Sequence, residues 1–185
     1  MSPNTYFRPV DIALTSVFCA LWVMLNSTLG PLSFRLLGLP VFHDFAAFFT
    51  LLLVAWVTGK FGTASLVGLI GSVIVLLVGG PLPNIGFAAS AILFDLAMSA
   101  NHHRLHVKAY NMIVAALATL VSAYFAGVII GVFLMNRPLD LTTLHTALTL
   151  WGGWHLVGGI MSILIALPII GILEKANVGK IKRDG

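Results

Sequence analysis

Charge is what this 185-residue chain has least of: 9 % of its residues are Asp, Glu, Lys or Arg, against 59 % hydrophobic. A water-soluble fold of that size needs more polar surface, so most of these side chains must face hydrocarbon or one another. Cysteine is almost missing too. Cys19, the only one, falls inside an apolar run, which excludes a disulfide framework and a zinc ribbon. No G-x-x-x-x-G-K-[ST] loop occurs, so work against a gradient would draw on a partner subunit or an ion. Neither G-x-S-x-G nor H-E-x-x-H is present to pair a nucleophile with its base. The net charge of +4 does not indicate nucleic-acid binding, because the basic residues stand singly at the ends of apolar runs, as membrane anchors do.

What fills the chain is apolar sequence in six stretches, roughly Asp11–Thr28, His43–Gly59, Thr63–Val78, Ile85–Ala100, Tyr110–Leu134 and Leu148–Leu173. A span needs about 20 residues, within a range of roughly 17–25. The third and fourth are short by that measure, and so would tilt little or stop short of one interface. The fold class expected is all-α, a six-transmembrane-helix bundle forming one integral membrane domain over residues 1–185. Turn chemistry marks the breaks at Gly30-Pro31, Gly38-Leu39-Pro40, Gly59 to Gly62 and Gly79 to Asn84, with Pro138 after the fifth helix. Pro168 should kink the sixth. The start lacks a short apolar run with a cleavage site, so the first helix reads as a retained span.

Arg and Lys then set an orientation. With the N-terminus inside, the cytoplasmic side receives Arg8, Lys60, Arg104, Lys108, Lys175, Lys180, Lys182 and Arg183, and the outer side only Arg35 and Arg137. That bias places both termini in the cytoplasm and gives the outer face the loops Leu29–Phe42, Gly79–Asn84 and Met135–Ala147. No internal repeat is visible, which disfavours a secondary carrier.

Helices associate in lipid through small residues that let backbones approach. Ala64, Gly68 and Ser72 in the third stretch, and Ala123, Gly127 and Gly131 in the fifth, recur every four residues and read as internal packing. Ser16 and Ala20 in the first have the same spacing, and serve either packing or a separate membrane subunit.

Polar and aromatic residues mark a candidate site. Trp151, Trp154 and His155 fall on one helical face by spacing, with Gly152 and Gly153 leaving room between them. Indoles stack on flat or cationic rings and imidazole supplies a hydrogen bond; an interfacial aromatic belt is the alternative. His43 and Asp44 open the second stretch, where Asp44 reads first as a helix cap and second as a substrate contact. Asn84 either caps the fourth helix or faces a site. Phe34, Arg35 and Phe42 sit in the first outer loop, where Arg35 suits an anionic ligand group or is a solvated rim charge. Asp95 is the one acidic residue well inside a span, and its depth points to a structural bond or subunit contact ahead of cargo or proton coupling. His102, His103 and His106 have zinc-like spacing but no carboxylate or second cluster, so a polar inner loop is the better account.

The opening "VDIALTSVFCALWVMLN", the passage "LLLVAWVTGKFGTASLVGLIGSVIVLLVGG" and "FAASAILFDLAMSA" together resemble the substrate-binding S components of energy-coupling factor (ECF) vitamin transporters. The likeness is one of hydropathy and glycine placement over most of the chain. It implies a six-helix receptor without catalytic activity or cofactor, capturing a vitamin or precursor at the outer ends of its helices. A transmembrane T subunit and cytoplasmic ATPases would power release, the receptor toppling in the bilayer. Ser16 and Ala20 stand where the family shows an Ala-x-x-x-Ala face toward the T subunit, with Ser a departure. In the family the first outer loop closes over the site, and the sixth helix and the loop before it touch the ligand. Substrate-binding candidates are thus Trp151, Trp154, His155, Asn84, His43, Phe42 and Arg35, with a lean to thiamine or its pyrimidine precursor. Cobalt and nickel are disfavoured, since the His-rich N-terminus of metal-binding members is missing. The alternative from another class is a small intramembrane enzyme, or a carrier, using His155 and Asp95.

Overall fold

A computed structural model describes residues 6–106, 108–176 and 178. Lys180, Lys182 and Arg183, three of the cations counted toward the inner side, lie outside the described residues. Those described form helices α1 (Pro9–Leu37), α2 (Val41–Thr58), α3 (Thr63–Leu77), α4 (Ile85–Met98), α5 (Ala109–Ile129), α6 (Leu141–Thr146) and α7 (Gly152–Lys175), with no strand among them. A π-helical turn, Ala147–Trp151, joins α6 to α7 without a break, and another, Ile130–Leu134, extends α5. The result is the expected all-helical bundle, with five helices long and apolar enough to cross a membrane. The exception is α3, whose 15 residues span only about 22 Å. Short 3₁₀ turns at Leu82–Asn84 and Ser99–Asn101 lengthen the fourth helix to 20 residues, correcting its short reading.

Two helices outrun their expected limits. The turn foreseen at Gly30-Pro31 does not form: α1 runs through Pro31 and ends at Gly38, whose left-handed φ of 67° and N–H bond to the Phe34 carbonyl close the helix. The Ser33 hydroxyl donates to the Leu39 carbonyl and accepts from the Phe42 N–H, folding a three-residue turn back onto the helix. The segment expected as the first outer loop therefore shrinks to Gly38–Pro40. Phe34 and Arg35 sit on α1 and Phe42 on α2, so none lies in a loop able to close as a lid. The sixth helix likewise starts at Leu141, seven residues early, because the Asp140 carboxylate caps it by accepting the Thr143 N–H at 2.7 Å. It continues through Pro168 to Lys175.

The most enclosed helix is α2, with 67 % of its most apolar window buried against 22 % for α1. It packs on α1 and α7, while α4 packs on α3 and α5. Small residues set these approaches, as expected: a Cβ at Gly71 would lie 2.6 Å from Trp22 Cγ, and one at Gly68 would collide with Ala91. The helices alternate in direction, so one end of the bundle gathers Arg8, Lys60, Arg104 and Lys108, and the other gathers the turns at Pro40 and Pro81. These are called the basic end and the cavity end below.

Candidate functional site

At the cavity end a chamber of about 250 Å³ opens between the helices. Its lining comes from five helices and the turns beside them: Phe34 of α1, His43 of α2, Pro81, Pro83 and Asn84 of the turn after α3, Phe87 of α4, Ile130 and Met135 beyond α5, and Trp151 and His155 of the last helix. The surface it presents is carbon, with the polar atoms of these residues buried in the wall. Four of the seven substrate-binding candidates meet here, His43, Asn84, Trp151 and His155, together with Phe34.

Glycines bring them together. Gly127 of α5 and Gly131 of the π-helical turn that extends it let the last helix lie close, since a Cβ at Gly127 would sit 2.8 Å from His155 Cδ2 and one at Gly131 would sit 2.7 Å from Trp151 Cδ1. The indole and imidazole centroids of Trp151 and His155 are 6.4 Å apart, and Phe87 stands 5.8 Å from His155 and 4.9 Å from His43. His43 fits against α1 only because Gly30 has no Cβ to strike its Nδ1, and it lies within hydrogen-bonding reach of Asn84.

Asp44 departs from its expected role. Its carboxylate turns into the bundle and meets His155 Nδ1 at 2.6 Å, across 111 residues of sequence. Both side chains are buried, at 0 % and 1 % exposure. Gly158 makes the meeting possible, because a Cβ there would lie 2.6 Å from the Val41 carbonyl oxygen and collide with Asp44. Three buried polar atoms of the site have no partner: Asp44 Oδ2, Asn84 Nδ2 and His155 Nε2. A buried group left unpaired costs about 1–3 kcal/mol, so three in one place call for an explanation beyond packing.

Other candidates stand apart. Trp154 is 40 % exposed on the outside of its helix and does not share the inward face of Trp151 and His155, contrary to the spacing argument. Trp151 and Trp154 are three residues apart, about 300° of turn, and the π-helical turn ending at Trp151 shifts that angle further. Phe42 is half-buried outside the lining, and Arg35 is exposed in the last turn of α1.

The basic end holds the second group of polar residues, and here most are partnered, with Asn101 Oδ1 and His103 Nδ1 making no hydrogen bond. Asp95 Oδ2 accepts from the Gly62 N–H at 2.8 Å, the Ser65 N–H at 3.0 Å and the Ser65 hydroxyl at 2.8 Å, which caps α3. Its other oxygen lies 3.5 Å from His103 Nδ1. Asp95 is thus a structural acceptor, in line with the reading from depth. Lys60 Nζ reaches Asp11 at 2.6 Å, and Glu174 takes His106 Nδ1 at 2.8 Å and Trp56 Nε1 at 3.2 Å. The H-H-x-x-H run is spread over separate tasks, with His102 exposed, and among the described residues no three His, Cys, Asp or Glu side chains converge on a metal position. Burial holds the His103 imidazole below its ordinary range, with Asp95 opposing that effect.

Phe87, Ile130 and Met135 escaped the sequence reading as site residues, and Asp44 entered it only second to a capping role, on the signal of an acid next to a histidine at the start of an otherwise apolar stretch. Comparison of the chain with family models, with curated proteins and with solved structures found no match.

Proposed function

We propose that this chain is the membrane-embedded capture component of an importer of the energy-coupling factor type, binding a vitamin or vitamin precursor in the chamber at its cavity end. One observation carries the reading. A chamber with an apolar surface, large enough for a small ring, is built at one end of the bundle by residues from five helices and the turns between them, and buried hydrogen-bonding groups in its wall are left unused. Receptors of small flat molecules need this combination of an apolar enclosure and few polar groups. The cavity end would face outward, since the basic end collects the cations that favour the cytoplasm. The protein would then be a multi-pass component of the cell membrane with both termini inside. It carries out no catalysis in this scheme; ATP hydrolysis belongs to partner subunits.

A docking face for the transmembrane partner is supported by Ser16 and Ala20. Both are exposed and line an apolar groove of about 660 Å³ between α1 and α3, on the least buried helix of the bundle. Few charges inside the spans suit a receptor that tilts through lipid during delivery.

The test is ligand identification. Protein purified in lipid nanodiscs and examined by native mass spectrometry should retain a small molecule of vitamin size, and adding it back should quench Trp fluorescence. Bulky replacements at Ser16 or Ala20 should weaken co-purification with a T subunit. Turnover of a lipid or peptide by the isolated chain would replace the receptor reading with the enzyme one.

A further inference from the structure

The polar wall of the chamber says more about its ligand than size alone. Asp44 and His155 form an isolated pair, and among the described residues no Lys or Arg lines the chamber. In surroundings this apolar, a net charge is strongly disfavoured, so the pair holds the proton count that makes it neutral overall. Three arrangements satisfy that count: a carboxylate beside an imidazolium, a carboxyl donating from Oδ1 to Nδ1, or a carboxyl protonated on Oδ2 that accepts from Nδ1–H. The third strands a buried O–H donor, which is rarer in folded proteins than an under-used carboxyl oxygen, so the first two are favoured. In both of these Nε2 bears an N–H. That N–H is buried and has no acceptor.

Asn84 Nδ2 is a second buried donor without an acceptor, contributed by the opposite wall. Gly80 leaves room beside it, since a Cβ there would lie 3.0 Å away. Asp44 Oδ2 is also unpartnered, but Asp44 is not part of the lining, so the unmet demand of the residues that line the chamber is for acceptors. Binding has to draw an N–H out of an apolar wall, which is favourable only when the ligand supplies the group that N–H lacks. A cation would meet two donors and no free counter-charge. At about 250 Å³ the chamber suits a small substituted ring.

Resting on the receptor reading above, we infer that the ligand is an uncharged one-ring molecule presenting a ring nitrogen or carbonyl acceptor to His155 Nε2–H, with Asp44 as the positioning residue that keeps the proton there. This separates the two molecules favoured from sequence: the neutral pyrimidine precursor fits the description, and thiamine, a permanent two-ring cation, does not.

The experiment uses the full chain in nanodiscs and five probes titrated by Trp fluorescence. Three are neutral one-ring acceptors: 3-pyridylmethanol, 5-pyrimidylmethanol and 2-piperidone. Two are controls: benzyl alcohol, which has the shape without the ring acceptor, and the N-methylated pyridinium of the first probe. At least one acceptor probe should bind tenfold or more tightly than benzyl alcohol, and His155→Phe should reduce that preference below threefold. Independently of any variant, ¹⁵N NMR of the ligand-free wild type should show His155 Nε2 carrying a proton, with its resonance moving when the acceptor probe binds. A bare Nε2, a pyridinium bound more tightly than any neutral probe, or equal binding of benzyl alcohol overturns the inference. If all five probes fail while native mass spectrometry retains a larger or charged vitamin, this inference falls and the receptor reading stands. If nothing of any size is retained or bound, both fall.

Discussion

Each end of the bundle contains a buried aspartate facing a histidine, and the two pairs are treated oppositely. At the basic end, Asp95 takes three hydrogen bonds from the start of α3 before His103 approaches at 3.5 Å. At the cavity end, Asp44 has His155 at 2.6 Å, and the second oxygen of the carboxylate and the second nitrogen of the ring are left over. The first arrangement pins a turn between helices, as a structural device should. The second maintains an energetic deficit beside a cavity. Proteins tolerate such deficits where binding removes them, so under the proposed function the same two residue types would serve stability in one place and recognition in the other.

The sharpest way to break this contrast is to replace each pair with apolar residues. Asp95→Leu with His103→Phe strands two backbone N–H groups and a hydroxyl, and should cost about 2–4 kcal/mol in thermal or SDS unfolding of the detergent-solubilised protein. Second in size, Trp151→Ala should weaken ligand binding at least tenfold, about 1.4 kcal/mol, while Trp154→Ala changes it less than about twofold; equal effects would remove the chamber as the site. Third, Asp44→Leu with His155→Phe should abolish binding yet shift stability by no more than about 1 kcal/mol, because nothing else in the fold depends on that pair. The fourth effect is a pH dependence. His103 titrates below its ordinary value in the fold, so the unfolded chain takes up its proton first as acid is added. The contribution of His103 is complete above about pH 6.5 and is lost as pH falls through the lowered folded value. The unfolding midpoint should accordingly drop on acidification, and by less in His103→Phe. Smallest of all, Arg35→Ala should leave stability within about 0.5 kcal/mol and binding unchanged, as the side chain is exposed and outside the lining.

Much of the site was visible in the chain, but by its members more than by their roles. His43, Asn84, Trp151 and His155 stood out as polar or aromatic residues near helix ends on one side of the bundle, and the chamber unites them. Asp44 was read as a cap because local rules favour a carboxylate in a first helical turn, and sequence contains nothing to say that α7 passes within reach. The helix limits failed for a different reason. Gly30-Pro31 is a turn signal in water, where solvent satisfies the freed backbone groups. Hydrocarbon offers no such partner, so a helix that can continue does so, through Pro31 in α1 and through Pro168 in α7.

Composition and hydropathy alone determined that this chain is a bundle of apolar helices with its cations gathered toward one end, because transfer of side chains between water and lipid is additive along a sequence. Tertiary structure decided that Asp44 belongs to His155, that Trp154 faces outward and that the leftover donors border a chamber. Those outcomes depend on how closely helices distant in sequence approach, and a missing methyl group at Gly127 or Gly158 sets that distance through contacts no local pattern records.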